Sequence, residues 1–356
     1  MSERAGAREE AIEFLGTVPL FDGIPDADLV ELANVMRRRE LPAGQILWRE
    51  GDEARAMILI VDGRVSVSLP LPGDRAVQLT SLGPGEMLGE VPLLDGGRHF
   101  GTASVSEPAT VLTLGRADFA ALISRRHPTA FALKRRIARV ACARLRVHTA
   151  ALAASLGDDD PSATPPPEPD AELEFCGPPD SGYIRRMATF RAFDSLALWG
   201  FLTAGRYALC PAGRTLITEG TASDACYVTI NGAVEKILTR GDRRIRVGLA
   251  GPGQAFGYES LVDGGPSPVT ASTKERTLLL VLPQEAFVRL FGGETAGSHV
   301  FLDVIHRDLV AALRQAVRPH ARLALSADAP RGPASAGHTA ATPSTPAAVA
   351  DPPAPR

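Results

Sequence analysis

Short glycine-bearing turns in the first half of this 356-residue chain return in its second half at an almost constant distance. Pro42-Ala43-Gly44 recurs as Pro211-Ala212-Gly213, Glu50-Gly51 as Glu219-Gly220 and Asp62-Gly63 as Asn231-Gly232, each 169 residues on (211 − 42, 219 − 50, 231 − 62). Gly83-Pro84-Gly85, Asp95-Gly96-Gly97 and Thr102-Ala103-Ser104 recur as Gly251-Pro252-Gly253, Asp263-Gly264-Gly265 and Thr270-Ala271-Ser272, each 168 residues on (251 − 83, 263 − 95, 270 − 102). One single-residue deletion between the two sets accounts for the change. The chain is therefore a duplication of one domain, and its length leaves room for two copies of about 150 residues each.

Within each copy, apolar alternation is punctuated by turns. Ala56 to Val61, then Asp62-Gly63, then Arg64 to Leu69 reads as strand, two-residue turn, strand, because Asp-Gly tolerates the positive φ of a tight hairpin. Cys226 to Ile230, Asn231-Gly232 and Ala233 to Ile237 repeat that order. Short strands at this spacing predict a jelly-roll barrel in each copy, mainly β with flanking α-helices. The bracketing helices are Asp26 to Arg37 and Arg116 to about Ser155 in the first copy. In the second, the closing helices run from Gln284 through His306 to about Ala324.

Composition marks the boundaries. Gly157 to Asp170 is acidic and proline-rich, with almost nothing to bury, which predicts an extended linker. Beyond about Ser326 the chain is Ala, Pro, Ser, Thr and Gly, which predicts a disordered tail. The expected layout is a first domain over 14–155, a linker over 156–183, a second domain over 184–324 and a tail over 325–356. A net charge of −3 gives no general attraction to nucleic acid or anionic membrane, so neither is an expected partner. Cys142, Cys176, Cys210 and Cys226 form no C-x-x-C pair, and the charged N-terminus and lack of a long apolar run indicate neither signal peptide nor membrane span. The expected location is the cytoplasm.

The turn residues also form a pattern: Pro42-Ala43-Gly44, Glu50-Gly51-Asp52, Asp62-Gly63-Arg64-Val65, Gly83-Pro84-Gly85-Glu86-Met87-Leu88-Gly89-Glu90 and Leu93-Leu94-Asp95-Gly96-Gly97. This resembles the cyclic nucleotide-binding domain family, the sensor module of the catabolite activator protein and of the regulatory subunit of cAMP-dependent protein kinase. The resemblance covers Phe14 to Ser155 and, more weakly, Ile184 to Ala324. It implies two double-stranded β-helix barrels of the cyclic nucleotide-binding type, each with N- and C-terminal helices. It also implies a phosphate-binding cassette that starts at a Gly-Glu pair, runs through a short helix and ends near an arginine. Helix amides and the arginine would face the cyclic phosphate, and the glutamate would accept from the ribose 2′-hydroxyl.

Both cassettes depart from the family pattern. In the first copy the resemblance points to Gly89, Glu90, Val91, Arg98, His99 and Thr102, with His99 at the arginine position, Arg98 where proline is usual, and Pro92 removing one amide donor. The expectation is a weakened site that still admits cAMP or cGMP, with no other cofactor. In the second copy the corresponding residues are Gly257, Tyr258, Glu259, Ser267 and Thr270. Ser267 stands at the arginine position, and Glu259 arrives one residue late, which in a helix turns its carboxylate about 100° away. That site is expected to be degenerate.

The expected function is a non-enzymatic sensor, regulator or scaffold whose closing helices contact an unidentified protein partner. The helix Phe131 to His148 has an apolar stripe and a basic face, read as solvated, and Val300 to Leu313 repeats the stripe, so pairing is expected between the two copies or across a homodimer. A catabolite activator-like transcription regulator would need a helix-turn-helix, for which neither linker nor tail supplies residues. A two-barrel cupin enzyme would need clustered histidines, and the seven here include no His-x-His, so no metal and no catalytic set is expected.

Overall fold

The computed structural model describes residues 2–71, 75–154, 173–240 and 243–328. The first lobe opens with α1 (Ser2–Thr17), a 3₁₀ turn (Pro19–Phe21) and α2 (Asp26–Val35). Its strands are β1 (Arg37–Leu41), β2 (Ile46–Trp48), β3 (Ala56–Leu71), β4 (Arg75–Leu82) and β5 (Met87–Leu88), followed by a short α3 (Glu90–Asp95) and β6 (Thr102–Gly115). It closes with α4 (Arg116–Ser124) and α5 (Pro128–Ala154). The predicted single closing helix is thus two, broken where Arg126 adopts φ 51° just ahead of Pro128.

The second lobe repeats this order. A short β7 (Phe175–Cys176), α6 (Ser181–Arg186), a 3₁₀ turn (Ala188–Ala192) and α7 (Ser195–Leu202) lead into β8 (Arg206–Cys210), β9 (Thr215–Ile217), β10 (Ala225–Asn231), β11 (Val234–Arg240), β12 (Arg243–Ala250) and β13 (Ala255–Phe256). Then follow α8 (Glu259–Asp263), β14 (Thr270–Thr273), β15 (Thr277–Pro283), α9 (Gln284–Gly292) and α10 (Ala296–Asp328). All strand pairs are antiparallel, and the sheets form jelly rolls without closing into barrels.

The Asp62-Gly63 turn is not a hairpin. β3 runs through it as one strand, with Asp62 opposite Thr110 and Arg64 opposite Glu107 on β6. In the second lobe, β10 pairs with β15 while β11 pairs with β12 and β14, so the chain at Asn231-Gly232 passes from one sheet to the other. These glycines make corners, and close backbone approach explains them. With φ 84°, a Cβ on Gly63 would sit 2.1 Å from the Pro108 carbonyl oxygen. Identical local sequence signals serve a hairpin or a corner, and the long-range partner strand decides which.

The linker and tail also differ from expectation at their edges. Residues 173–183 belong to the second lobe: Phe175 pairs with Ala208 on β8, and the Arg206 guanidinium lies 3.5 Å from the Phe175 ring centroid. Helix α10 continues to Asp328, past the expected start of the tail at residue 325. The rest of the linker and the tail, residues 155–172 and 329–356, lie outside the described residues.

The two long helices pair with each other inside the chain. Phe131 of α5 stacks on His299 of α10 at 3.4 Å, 168 residues away, and the buried Lys134 ammonium pairs with Asp303, 169 residues away. Because these separations equal the repeat distance, each residue meets its own counterpart, and α5 and α10 run parallel about a pseudo-twofold axis. His306 Nε2 donates to the Lys134 carbonyl at 2.8 Å, and burial beside Lys134 pushes its pKa down to about 3.

Beyond this crossing each helix packs on the opposite lobe. Leu152 and Ala153 of α5 join Leu238 and Val269 of the second jelly roll, while Val317 of α10 joins Leu69 of the first. One core cluster spans both lobes, from Val91, Phe131 and Leu145 to Phe201, Phe287, Phe301 and Ile305. The basic face of α5, read from the sequence as solvated, is engaged: Lys134 is buried, Arg136 donates to the Asp22 carbonyl, and Arg139, Arg144 and Arg146 all hold partners.

Candidate functional site

In the first lobe, Gly89 at φ 78° turns the chain from β5 into α3. A side chain there would meet the Ala56 carbonyl at 3.0 Å, Trp48 at 3.1 Å and His99 at 3.4 Å, so only glycine lets the helix start against this wall. Glu90 and Val91 follow, both buried, and Pro92 is tolerated in the first turn. They border a cavity of about 70 Å³ whose polar wall is Trp48, Glu90, His99, Arg144 and His148. That space holds a handful of waters, at about 10–15 Å³ each.

Glu90 is wholly buried at the first position of α3. One carboxylate oxygen pairs with Arg144 of α5, whose guanidinium also donates to the Met87 carbonyl. The other oxygen, Oε2, is buried with no hydrogen-bond partner. Burial raises the pKa of this carboxyl, opposed by Arg144.

The cassette residues named from the sequence divide between this cavity and the surface. His99 faces the cavity and stacks on Trp48 at 4.1 Å and 10°. Burial lowers its pKa to about 4, with Asp52 raising it and Arg116 lowering it, so the imidazole is neutral at pH 7. Arg98 is turned outward, donating to the Gly51 carbonyl at 2.8 Å on an exposed groove beside Glu53 and Arg55. Thr102 Oγ1 accepts from the Glu50 N–H at 3.1 Å. The guanidinium in the cavity is Arg144, which sequence reasoning left on the solvated face of its helix. Trp48 and His148 were also missed. The only signal for Arg144 was its helical spacing below the apolar stripe, which does not reveal what α5 crosses.

The second lobe shows that the residue count was in register. Gly51 N–H donates to the His99 carbonyl at 2.8 Å, and Gly220 N–H to the Ser267 carbonyl at 2.9 Å. His99 N–H donates to Asp52 O at 2.9 Å, and Ser267 N–H to Thr221 O at 2.7 Å. Ser267 thus stands where His99 does, and its hydroxyl is turned to the Val269 carbonyl at 2.8 Å. Thr270 Oγ1 accepts from Glu219 N–H at 3.0 Å, as Thr102 does from Glu50.

The expected swing of Glu259 away from the pocket does not occur. After Gly257 (φ 76°), Tyr258 becomes the N-cap and α8 starts one residue later, so Glu259 is its first residue just as Glu90 is the first of α3. Tyr258 goes instead into the interlobe core, fully buried, with its hydroxyl unpartnered. Glu259 borders a cavity of about 30 Å³ together with Thr149, Lys236, Gln254, Asp308 and Gln315.

Arginines of the long helices hold the opposite cassette loop. Arg146 of α5 donates to the Pro266 carbonyl at 2.7 Å and pairs with Asp263. Its counterpart Arg314 of α10, 168 residues on (314 − 146), reaches the Arg98 carbonyl of the first cassette at 3.4 Å. Among the described residues, no three His, Cys, Asp or Glu side chains are grouped to hold a metal, and no helix is long and apolar enough to cross a membrane.

With this geometry in view, comparison with known proteins gives the class. A family model described as the cyclic nucleotide-binding domain matches residues 38–126 and again 209–293. The chain belongs to the cyclic nucleotide-binding domain family and carries the domain twice.

A cyclic nucleotide-gated potassium channel of Mesorhizobium japonicum is 36% identical over 112 residues, 32% of this chain and 30% of that protein. A cyclic AMP receptor protein of Thermus thermophilus is 35% identical over 107 residues, 30% of this chain and 50% of that one. The chain therefore spans half or less of the curated relatives it matches. Among solved structures, the N-terminal domain of a Streptomyces coelicolor transcriptional regulator is 31% identical over 35% of this chain and 90% of that one, with a TM-score of 0.33. The regulatory domain of Toxoplasma gondii PKA with cAMP covers 81% of this chain and 94% of that one at 18% identity and a TM-score of 0.32.

Proposed function

We propose that the protein is a non-enzymatic cytoplasmic sensor whose first lobe takes cAMP or cGMP, whose second lobe takes neither, and whose paired long helices report occupancy to a protein partner. The observation that carries this reading is Glu90: a wholly buried carboxylate on a cavity wall, with one oxygen on Arg144 and the other without a partner. An unsatisfied buried acceptor costs about 1–3 kcal/mol, and a ribose 2′-hydroxyl is a donor that would relieve it. Arg144 replaces in kind the guanidinium missing from the cassette loop, and the Trp48–His99 stack offers an aromatic wall.

The coupling follows from the packing. A ligand that competes for Glu90 or Arg144 alters the seat of α5, and α5 is also packed on the second lobe through Arg146, Leu152 and Ala153. Ligand can shift this arrangement only by as much as it prefers one seating over the other. In this reading α5 and α10 serve as partners for each other, so their pairing within one chain stands in place of a homodimer.

Thermal unfolding of the whole chain with cAMP, cGMP and 2′-deoxy-cAMP tests the proposal. A ligand at 100 times its dissociation constant adds about 2.7 kcal/mol of stability. The expected result is stabilisation by a ribonucleotide, less by the deoxy analogue, and none in Glu90→Gln. Equal stabilisation by the ribo and deoxy forms removes the role given to Glu90, and no response to any of the three removes the ligand.

A further inference from the structure

The cavity of the second lobe is chemically different from that of the first. Glu259 is 3% exposed and Asp308 8% exposed, and both border the same space between α8, α10, β11 and β12. Asp308 accepts from the Ala255 N–H at 2.6 Å. The Glu259 carboxylate, by contrast, has no hydrogen bond or ion pair among the described residues, although it is buried on the cavity wall. Lys236 adds one ammonium to the lining, but it forms no ion pair with either acid. Two carboxylates against one ammonium leave the cavity one positive charge short, and a buried carboxylate without a donor is costly.

We propose that this cavity binds a small ligand carrying an ammonium group, held by Glu259 and Asp308. The chemistry selects a cationic donor over an anion, because Ser267 turns its hydroxyl to its own loop and no guanidinium borders the cavity. Charge-assisted hydrogen bonds from an ammonium would supply Glu259 with the donors it lacks. The volume, about 30 Å³, suits an amine head and short stem. Entry is open at the rim, where Gln315 is exposed and Leu249 is 44% exposed. Lys236 gives a second criterion: it repels a diamine and would welcome the carboxylate end of an amino acid. This proposal does not rest on the reading of the first cavity.

Isothermal titration of the whole chain, at ionic strength matched with sodium chloride, uses putrescine, 4-aminobutyrate and 1,4-butanediol as an uncharged control of similar length. Saturable one-to-one binding of at least one amine, none of butanediol, and a loss of about tenfold or more in Glu259→Gln are expected, the scale of one charge-assisted hydrogen bond. Butanediol binding as well as the amines, no heat from either amine, or unchanged affinity in Glu259→Gln overturns the proposal. If Glu259→Gln fails to fold, Lys236→Met decides: it strengthens putrescine binding and weakens 4-aminobutyrate binding, and unchanged affinity for both overturns it. Glu90→Gln leaves amine binding unaltered, which separates this site from the first.

Discussion

The buried ammonium of Lys134 on α5 pairs with the carboxylate of Asp303 on α10, and the 169 residues between them are the distance between duplicated turns. A residue thus meets its own counterpart, which makes the helix pair the axis of the molecule. The Lys134 side chain is 4% exposed while that of Asp303 is 53% exposed. The lysine has therefore given up water, and the aspartate has not. Asp303→Asn leaves a buried cation with weaker partners and is expected to cost about 2 kcal/mol, discounted from a fully buried pair because the aspartate is half in solvent. Lys134→Met replaces the charge by apolar volume and should cost less. Urea denaturation of both variants tests that order.

The Glu90–Arg144 pair makes a sharper version of the same prediction. Arg144→Leu strands a wholly buried carboxylate, at a cost of about 2–4 kcal/mol at pH 7. Adding Glu90→Gln to Arg144→Leu removes the stranded charge and should recover part of that loss. A double-mutant cycle by chemical denaturation reads the coupling; simple additivity of the two changes would show that the pair contributes nothing.

Acid stability carries opposed contributions. His99 and His306 titrate in the folded state at about 4 and about 3, below the ordinary 6.5, so the unfolded chain takes up protons first as the pH falls. Their contribution is complete above pH 6.5 and is lost as the pH drops towards 4 and then 3. Asp308 has the opposite sign. Burial lifts its pKa from 3.8 to about 6, with Glu259 adding to the rise and the Ala255 N–H, Lys236 and Arg307 opposing it, so its contribution falls as the pH rises through that interval. Between pH 4 and 6, His306→Leu and His99→Gln are each expected to flatten the dependence of stability on pH, and Asp308→Asn to steepen it. Denaturant midpoints measured at several pH values check all three signs.

Two glycines separate a conformational requirement from a steric one. Gly44 and Gly63 have nearly the same φ, 82° and 84°, but a Cβ on Gly44 meets nothing within 4 Å while one on Gly63 would lie 2.1 Å from the Pro108 oxygen. Gly44→Ala should cost about 1–2 kcal/mol, the strain of the left-handed region alone. Gly63→Ala must also move the β6 backbone, and a substantially larger loss of stability is expected in thermal or urea unfolding. Equal losses would mean that the corner yields freely.

The duplication, the glycine positions and the register of both cassettes were legible in the sequence, because a turn that needs positive φ writes its requirement into one or two adjacent residues. The same count correctly put Ser267 in the place of His99, as the matching backbone hydrogen bonds at Gly51 and Gly220 show. Tertiary structure decided the rest. Asp62-Gly63 became a corner because β6 passes beside it, and Glu259 kept its place because α8 begins one residue late. Arg144 reaches Glu90 across 54 residues only through the path of α5, and Arg146 and Arg314 find the opposite lobes only because the two helices cross. Local backbone conformation is a property of neighbouring residues, whereas a charge pair between distant elements depends on helix trajectories set by the packing of the whole core.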